Sequence, residues 1–189
     1  MKQYYIDLFS GPGGFSLGFK LEGFNNVFAL DKIKDCCETY KHNFPKHIMI
    51  EKDIYKISNK ELQKIIKNKK IDVIIGGPPC QGFSLAGKNG RTFVDDSRNY
   101  LFKEFVRMVD VVKPKIFVME NVARLFTHNK EKTKKEIIKE FKKIGYLVDS
   151  KILCSADYGT PQIRNRVIFI GNRLGIKNKY PKKTHDKNK

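Results

Sequence analysis

Short runs of β-branched and aromatic residues alternate along this chain with segments of helical period, and nothing else in the sequence restricts the fold as strongly. Strand followed by helix followed by strand requires crossover connections, so the pattern specifies an α/β chain: a mostly parallel twisted sheet with helices on both faces. Tyr4 to Phe9 reads as a first strand that ends in the turn Gly11-Pro12-Gly13-Gly14, and a helix follows to about Gly23. Val27 to Leu30 is a second strand closing on Asp31; Lys34 to Asn43 is helical and Pro45 stops it. His47 to Ile50 is a short third strand before Asp53. Ser58 and Glu61 have the spacing of a capping box ahead of a helix carrying Leu62, Ile65 and Ile66.

Further on, Asp72 to Ile75 is a compact apolar strand that ends at Gly76-Gly77-Pro78-Pro79. The polar, Gly-containing stretch from Lys88 to Asp96 reads as a mobile loop. Leu101, Phe102, Phe105, Val106, Val109 and Val112 repeat with the 3.6-residue period of a long core-facing helix, which Pro114 ends. Ile116 to Met119 is another buried strand, closing on Glu120. Lys130 to Ile144 is a helix with Ile137, Ile138, Phe141 and Ile144 inward. Leu147 to Cys154 and Arg166 to Gly171 complete the strands. Asp31, Asp53, the Pro-Pro-Cys turn and Glu120 are all expected just after strands. Ligands in open α/β sheets bind outside the carboxyl ends of the strands, so these scattered residues can meet in one cleft.

With 189 residues and 40% hydrophobic content the chain suits one domain with a packed core. No apolar run approaches the ~20 residues of a membrane helix. The first residues read as a strand and lack a signal peptide's apolar stretch, so a cytoplasmic location is expected. The four cysteines, Cys36, Cys37, Cys80 and Cys154, form no C-x-x-C pair, and no metal is expected. Cys36 and Cys37 are read as packing residues. The formal net charge of +18 suits a polyanionic partner, although a bias toward lysine alongside Asn and Ile also yields such a charge.

The Gly11–Gly14 turn, between a strand and a helix N-terminus, lets a ligand approach the backbone and favours a negative group there. Ser16 stands where the dinucleotide fingerprint requires glycine, which argues against a nicotinamide cofactor. Asp31 can accept bonds from both ribose hydroxyls of an adenosine, and Asp53 can meet an adenine amino group. Together they describe an adenosine ligand without a pyrophosphate, which S-adenosylmethionine fits. In the second half, two prolines make the turn before Cys80 rigid and hold the thiol at the cleft, where a thiolate is a strong nucleophile. Glu120 can donate a hydrogen bond or proton once held neutral. Gln162, Arg164 and Arg166 recur at every second residue, so in an extended segment they share one side, opposite Ile163, Asn165 and Val167.

Asp7–Gly18, Gly77–Ser84, Glu120-Asn121-Val122 and Gln162-x-Arg164-x-Arg166, with Asp96-Ser97-Arg98-Asn99 between them, stand in the order and rough spacing of the DNA cytosine-5 methyltransferase family, which the chain resembles over residues 4 to 172. The resemblance implies an S-adenosylmethionine-dependent, Rossmann-like methyltransferase fold over residues 1–172. It implies methyl transfer from S-adenosyl-L-methionine to C5 of a cytosine flipped out of double-stranded DNA. In that reading Cys80 attacks C6, Glu120 serves N3, and Arg166, assisted by Arg164, contacts O2. Cofactor contacts fall on Phe9, Gly11, Gly13, Asp31, Lys32, Asp53, Ile54, Pro79 and Leu101, and substrate contacts on Gln81, Ser84, Asn121 and Gln162. Lys32 departs from the pattern, since an aromatic residue often stacks on adenine there, and weaker cofactor binding is expected.

The family normally continues with a target-recognition domain and a segment that returns to the cofactor domain. Here the chain stops at Lys189, and the basic tail 173–189 is where target recognition would begin. A split-enzyme subunit, a truncated piece and a gene remnant are the three readings. A restriction-modification role with a second polypeptide carrying target recognition is the leading expectation, in a bacterial cytoplasm and nucleoid-associated when bound to DNA. A tRNA cytosine-5 methyltransferase and a non-catalytic fragment that binds cofactor or DNA are the alternatives.

Overall fold

A computed structural model describes residues 2–67, 69–79, 101–126 and 131–185. Among these, the strands are β1 (Tyr4–Leu8), β2 (Asn25–Asp31), β3 (Met49–Glu51), β4 (Val73–Gly76), β5 (Ile116–Val122), β6 (Leu147–Cys154) and β7 (Asn165–Asn172). The α-helices are α1 (Gly14–Leu21), α2 (Lys34–Asn43), α3 (Asn59–Ile66), α4 (Leu101–Val112) and α5 (Lys132–Lys143). Short 3-10 turns cover Ile54–Lys56, Ala123–Phe126 and Ser155–Tyr158.

One sheet of order β3-β2-β1-β4-β5-β7-β6 joins all seven strands. Its ladders are parallel from β3 to β5, and β7 runs antiparallel to both β5 and β6. Strand order reverses between β1 and β4, so the crevice that open α/β sheets use for ligands lies beyond those two strands.

The period of two along the strands divides the core. Ile6, Leu8, Phe28, Leu30, Ile74, Phe117, Met119, Val167 and Phe169 form one face, packed on Leu62 of α3, Phe105 and Val109 of α4, and Ile137 and Phe141 of α5. Phe117 stacks on Phe141 with ring centroids 3.9 Å apart, and Phe105 meets both edge-on. On the opposite face Tyr5, Val73 and Ile75 pack against Phe15 and Phe19 of α1, while Ala29 packs with Tyr40 and Phe44 of α2 and its end.

Four expectations change. Cys37 is fully buried and its thiol donates to the Asp31 carbonyl at 3.5 Å, but Cys36 is half-exposed, because neighbours on a helix cannot both face inward. The Ser58 hydroxyl caps α3 by accepting from the Glu61 N–H at 3.2 Å, whereas the Glu61 carboxylate is held by Lys52 at 2.8 and 2.9 Å. Strand β5 runs on past Met119 to Val122, because Glu120, Asn121 and Val122 pair with Ile168, Val167 and Arg166 of β7; Glu120 therefore lies within a strand. Residues 173–185 are laid back along the β6–β7 hairpin, with Tyr180 donating to the Ile168 carbonyl and Asn178 to the Ile170 carbonyl. The expected loop from Lys88 to Asp96 lies outside the described residues.

Candidate active site

The turn after β1 runs in an unusual backbone conformation. Phe9, Gly11 and Gly13 have φ of 56°, 54° and 100°, a region glycine enters freely and an aromatic residue rarely does. At Gly13 a Cβ would strike the Phe44 ring. The turn is tied to β2 twice: Ser10 N–H donates to the Leu30 carbonyl at 3.0 Å, and Gly11 N–H donates to Asp31 Oδ2 at 2.9 Å. Asp31 Oδ1 accepts from the Ile33 N–H at 2.9 Å. One carboxylate thus orders both the glycine turn and the entry to α2, and lone pairs remain for a ligand.

Beyond the carboxyl ends of β1 to β4 this turn walls an open-sided cleft. Phe9, Leu30, Ile33, Ile54, Pro79 and Leu101 make its apolar walls; Asp31, Lys32, Lys52, Asp53 and Gly77 complete the lining. Asp53 accepts from the Tyr55 N–H at 3.1 Å, which starts a 3-10 turn, and its other oxygen lies 3.4 Å from Lys32 Nζ. The cleft therefore gathers Phe9, Asp31, Lys32, Asp53, Ile54, Pro79 and Leu101 from separate elements, with Gly11 and Gly13 in the turn behind it. Apolar walls with two carboxylates at the rim fit an adenosine, whose ring needs apolar cover and whose hydroxyl and amino groups need acceptors.

Gly77 joins this cleft to a second set of groups. A Cβ there would sit 3.1 Å from Glu120 Oε2, so the carboxylate stands directly behind the cleft wall. Glu120 Oε1 is 2.6 Å from Arg166 Nε, and each side chain is 26% exposed. Arg166 also donates to the Asn165 carbonyl at 2.9 Å. Asn121, expected among substrate contacts, is buried and donates to the Pro78 carbonyl at 3.0 Å, which pins the turn ahead of Cys80. Gln162 and Arg164 are exposed in the connection that leads into β7, with Ile163 exposed between them. Cys80, Gln81 and Ser84, and the segment Asp96–Asn99, lie outside the described residues.

A feature the motif reading passed over sits beneath the glycine turn. Asp7, 0% exposed, accepts from Ser16 Oγ at 2.7 Å; Ser16 Oγ is 2.7 Å from Tyr40 Oη, and Tyr40 Oη is 3.0 Å from His47 Nδ1. With Ser16 donating to Asp7, Tyr40 donates to Ser16 and His47 Nδ1–H donates to Tyr40. Burial pushes the Asp7 carboxyl up to about 7 against the lowering pull of its Ser16 bonds. An acidic residue inside an apolar strand was the available signal. Among the described residues no cluster of three His, Cys, Asp or Glu side chains is arranged to hold a metal ion, and no helix is long and apolar enough to cross a membrane.

Residues 4–189 match the family model for C-5 cytosine-specific DNA methylase. The Type II methyltransferase M1.HphI of Haemophilus parahaemolyticus is 53% identical over 185 residues, which are 98% of this chain and 50% of that protein. The Type II methyltransferase M.AquIA of Picosynechococcus sp. is 41% identical over 195 residues, 98% of this chain and 78% of that one. Among solved structures, one described as a DNA modification methyltransferase encoded within an E. coli prophage superposes with a TM-score of 0.78 at 35% identity, covering 90% of this chain and 47% of its own. The chain spans about half the length of most of the curated relatives it matches, M.AquIA being an exception.

Proposed function

Because this chain belongs to the C-5 cytosine-specific DNA methylase family, we propose that it forms the catalytic region of an enzyme that methylates C5 of cytosine in DNA, using S-adenosylmethionine. The observation that carries the reading is the shared wall at Gly77: an apolar-walled cleft with two carboxylates lies on one side and the Glu120–Arg166 pair on the other. A methyl donor and the groups that activate the acceptor base would then be neighbours.

The steps follow from the residues. The Cys80 thiolate adds to C6 of a base flipped into the site, and the ring electrons shift toward C5 and N3. Glu120 hydrogen-bonds or protonates N3, and Arg166, with Arg164 beside it in sequence, holds O2. The cofactor, when bound, supplies an electrophilic methyl group to C5. A base then takes the C5 proton, the C6–sulfur bond breaks, and Cys80 leaves as thiolate. Asp31 and Asp53 would hold the adenosine, with the Lys32 stem over its ring.

Sequence-specific reading of base edges needs groove contacts, while a basic surface supplies phosphate attraction that carries no sequence information and weakens with salt. We assign target recognition to a further region, on the same chain or on a second polypeptide, within a restriction-modification system. The Type II names of the relatives support that role.

The test is tritium transfer from labelled S-adenosylmethionine to cytosine-containing DNA and to tRNA, with and without a recognition partner. Trapping on 5-fluorocytosine DNA is the companion measurement. Transfer to DNA and an adduct abolished by Cys80→Ala are expected. Absence of a Cys80-dependent adduct in an active preparation would refute the mechanism.

A further inference from the structure

The connection from β6 to β7, residues 155–164, carries Gln162 and Arg164 and leads directly to Arg166. It closes on itself through Ser155, whose N–H donates to the Arg164 carbonyl at 3.1 Å and whose hydroxyl donates to the Gln162 carbonyl at 2.7 Å. Its other anchor is the returning tail. After β7 the chain turns at buried Asn172 and ascends the hairpin through Asn178 and Tyr180. At the top Tyr158 donates to the Pro181 carbonyl at 3.3 Å, and the Asp157 carbonyl accepts from the N–H groups of Thr184 and His185 at 3.0 and 3.1 Å. Gly159 has φ of +88°, and a Cβ there would lie 2.9 Å from the His185 ring.

The Asp157 side chain sits at the centre of this junction. The residue is 4% exposed, Oδ2 lies 3.0 Å from Lys183 Nζ, and Oδ1 is buried without a hydrogen-bond partner among the described residues. A buried carboxylate that lacks a full set of donors depends on the cation beside it, so removing that cation loosens the segment's hold.

We propose that Asp157 and the tail segment 181–185 form a clasp that positions the arginine-bearing connection over the active site. Asp157 is a positioning residue: it touches neither base nor cofactor, and acts through the backbone that carries Arg164 and Arg166. The inference rests on the assignment of those arginines to the flipped base.

Two variants test it, Asp157→Asn and Lys183→Ala, the second on a side chain 65% exposed, with urea unfolding of each to show that it is folded. Both are expected to speed amide hydrogen exchange across residues 156–166. In the DNA-active protein both are expected to lower kcat and the rate of 5-fluorocytosine adduct formation on the order of tenfold, since small misplacements of positioning groups have effects of this size. S-adenosylmethionine affinity, measured by calorimetry, stays unchanged. Unchanged exchange in both variants overturns the clasp, as does faster exchange with unaltered kcat. A loss of DNA affinity in Lys183→Ala alone also overturns it, because that pattern identifies a phosphate contact. If the unsubstituted protein forms no adduct, the base-site reading fails on its own, and the exchange measurement still decides whether the clasp exists.

Discussion

Arg166 Nε and Glu120 Oε1 lie 2.6 Å apart across the β5–β7 ladder, as diagonal neighbours on one face of the sheet. The antiparallel strand is what makes the pair: it returns residue 166 to the carboxyl end of β5, beside a residue 46 positions earlier. Arg166→Ala is expected to reduce kcat by roughly 10²–10³, the effect of removing one preorganised donor. Stability should change by only ~0.2–1 kcal/mol, because both side chains are partly exposed. Single-turnover methyl transfer and urea unfolding on the same sample measure the two effects; a loss of stability equal to the loss of rate would contradict a chemical role.

Asp31 fixes the glycine turn and the start of α2 with separate oxygens. Asp31→Ala releases both N–H groups and removes the acceptor proposed for the ribose. S-adenosylmethionine affinity is expected to fall by about 1.5–3 kcal/mol, the range for hydrogen bonds to a charged group, with Asp31→Asn intermediate. Isothermal titration of the two variants reads this directly.

The buried Asp7 carboxyl makes stability depend on pH in a defined window. Its value in the folded protein is raised from 3.8 to about 7, so between those limits the native state binds more protons than the unfolded chain. Stability therefore falls as pH rises from about 4 to about 7 and levels off above, at about 1.4 kcal/mol per pH unit at most. His47 and Lys20 lie at the outer end of the same chain of bonds, and Asp31 adds repulsion at Asp7. Asp7→Asn is expected to flatten the slope of urea midpoint against pH; an unaltered slope would assign it to other groups.

Glycines in similar positions should respond in opposite directions. At Gly76 a Cβ would strike the Leu8 carbonyl, which is backbone and cannot yield, so Gly76→Ala should cost about 1–3 kcal/mol. Gly18 lies inside α1 with open space around it, and Gly18→Ala should add about 0.5–1 kcal/mol. For a chain of this size that is a fall and a rise in Tm of roughly 2–4 °C per kcal/mol. Differential scanning calorimetry of the pair is the check.

Local pattern made some of this molecule legible. Helix α2 begins and ends where expected, because a helical run and Pro45 bound it, and β6 matches to the residue. That Asp31 and Asp53 meet at one cleft was legible because both were expected at the carboxyl ends of strands. What could not be read are choices made by distant partners. Polar Glu120 and Asn121 look like the end of β5, and only pairing with β7 keeps them in the strand. Asn121 looks outward from its motif, yet the Pro78 carbonyl captures it. Asp157 and the tail hold each other across more than twenty residues, and no local period marks that contact.

The insertion of β7 between β5 and β6 also sets an order of assembly. Among the described residues strand β6 has β7 as its ladder partner, and β7 comes after every other strand of the sheet in sequence. During synthesis, which proceeds at about 5–20 residues per second, β5 presents an unpaired edge until residue 172 has emerged. Until then β6 cannot join the sheet, and the slot between them is open to any other extended chain. The half of the sheet beside the proposed cofactor cleft can thus close early, while the half that carries Glu120 and Arg166 is completed by β7.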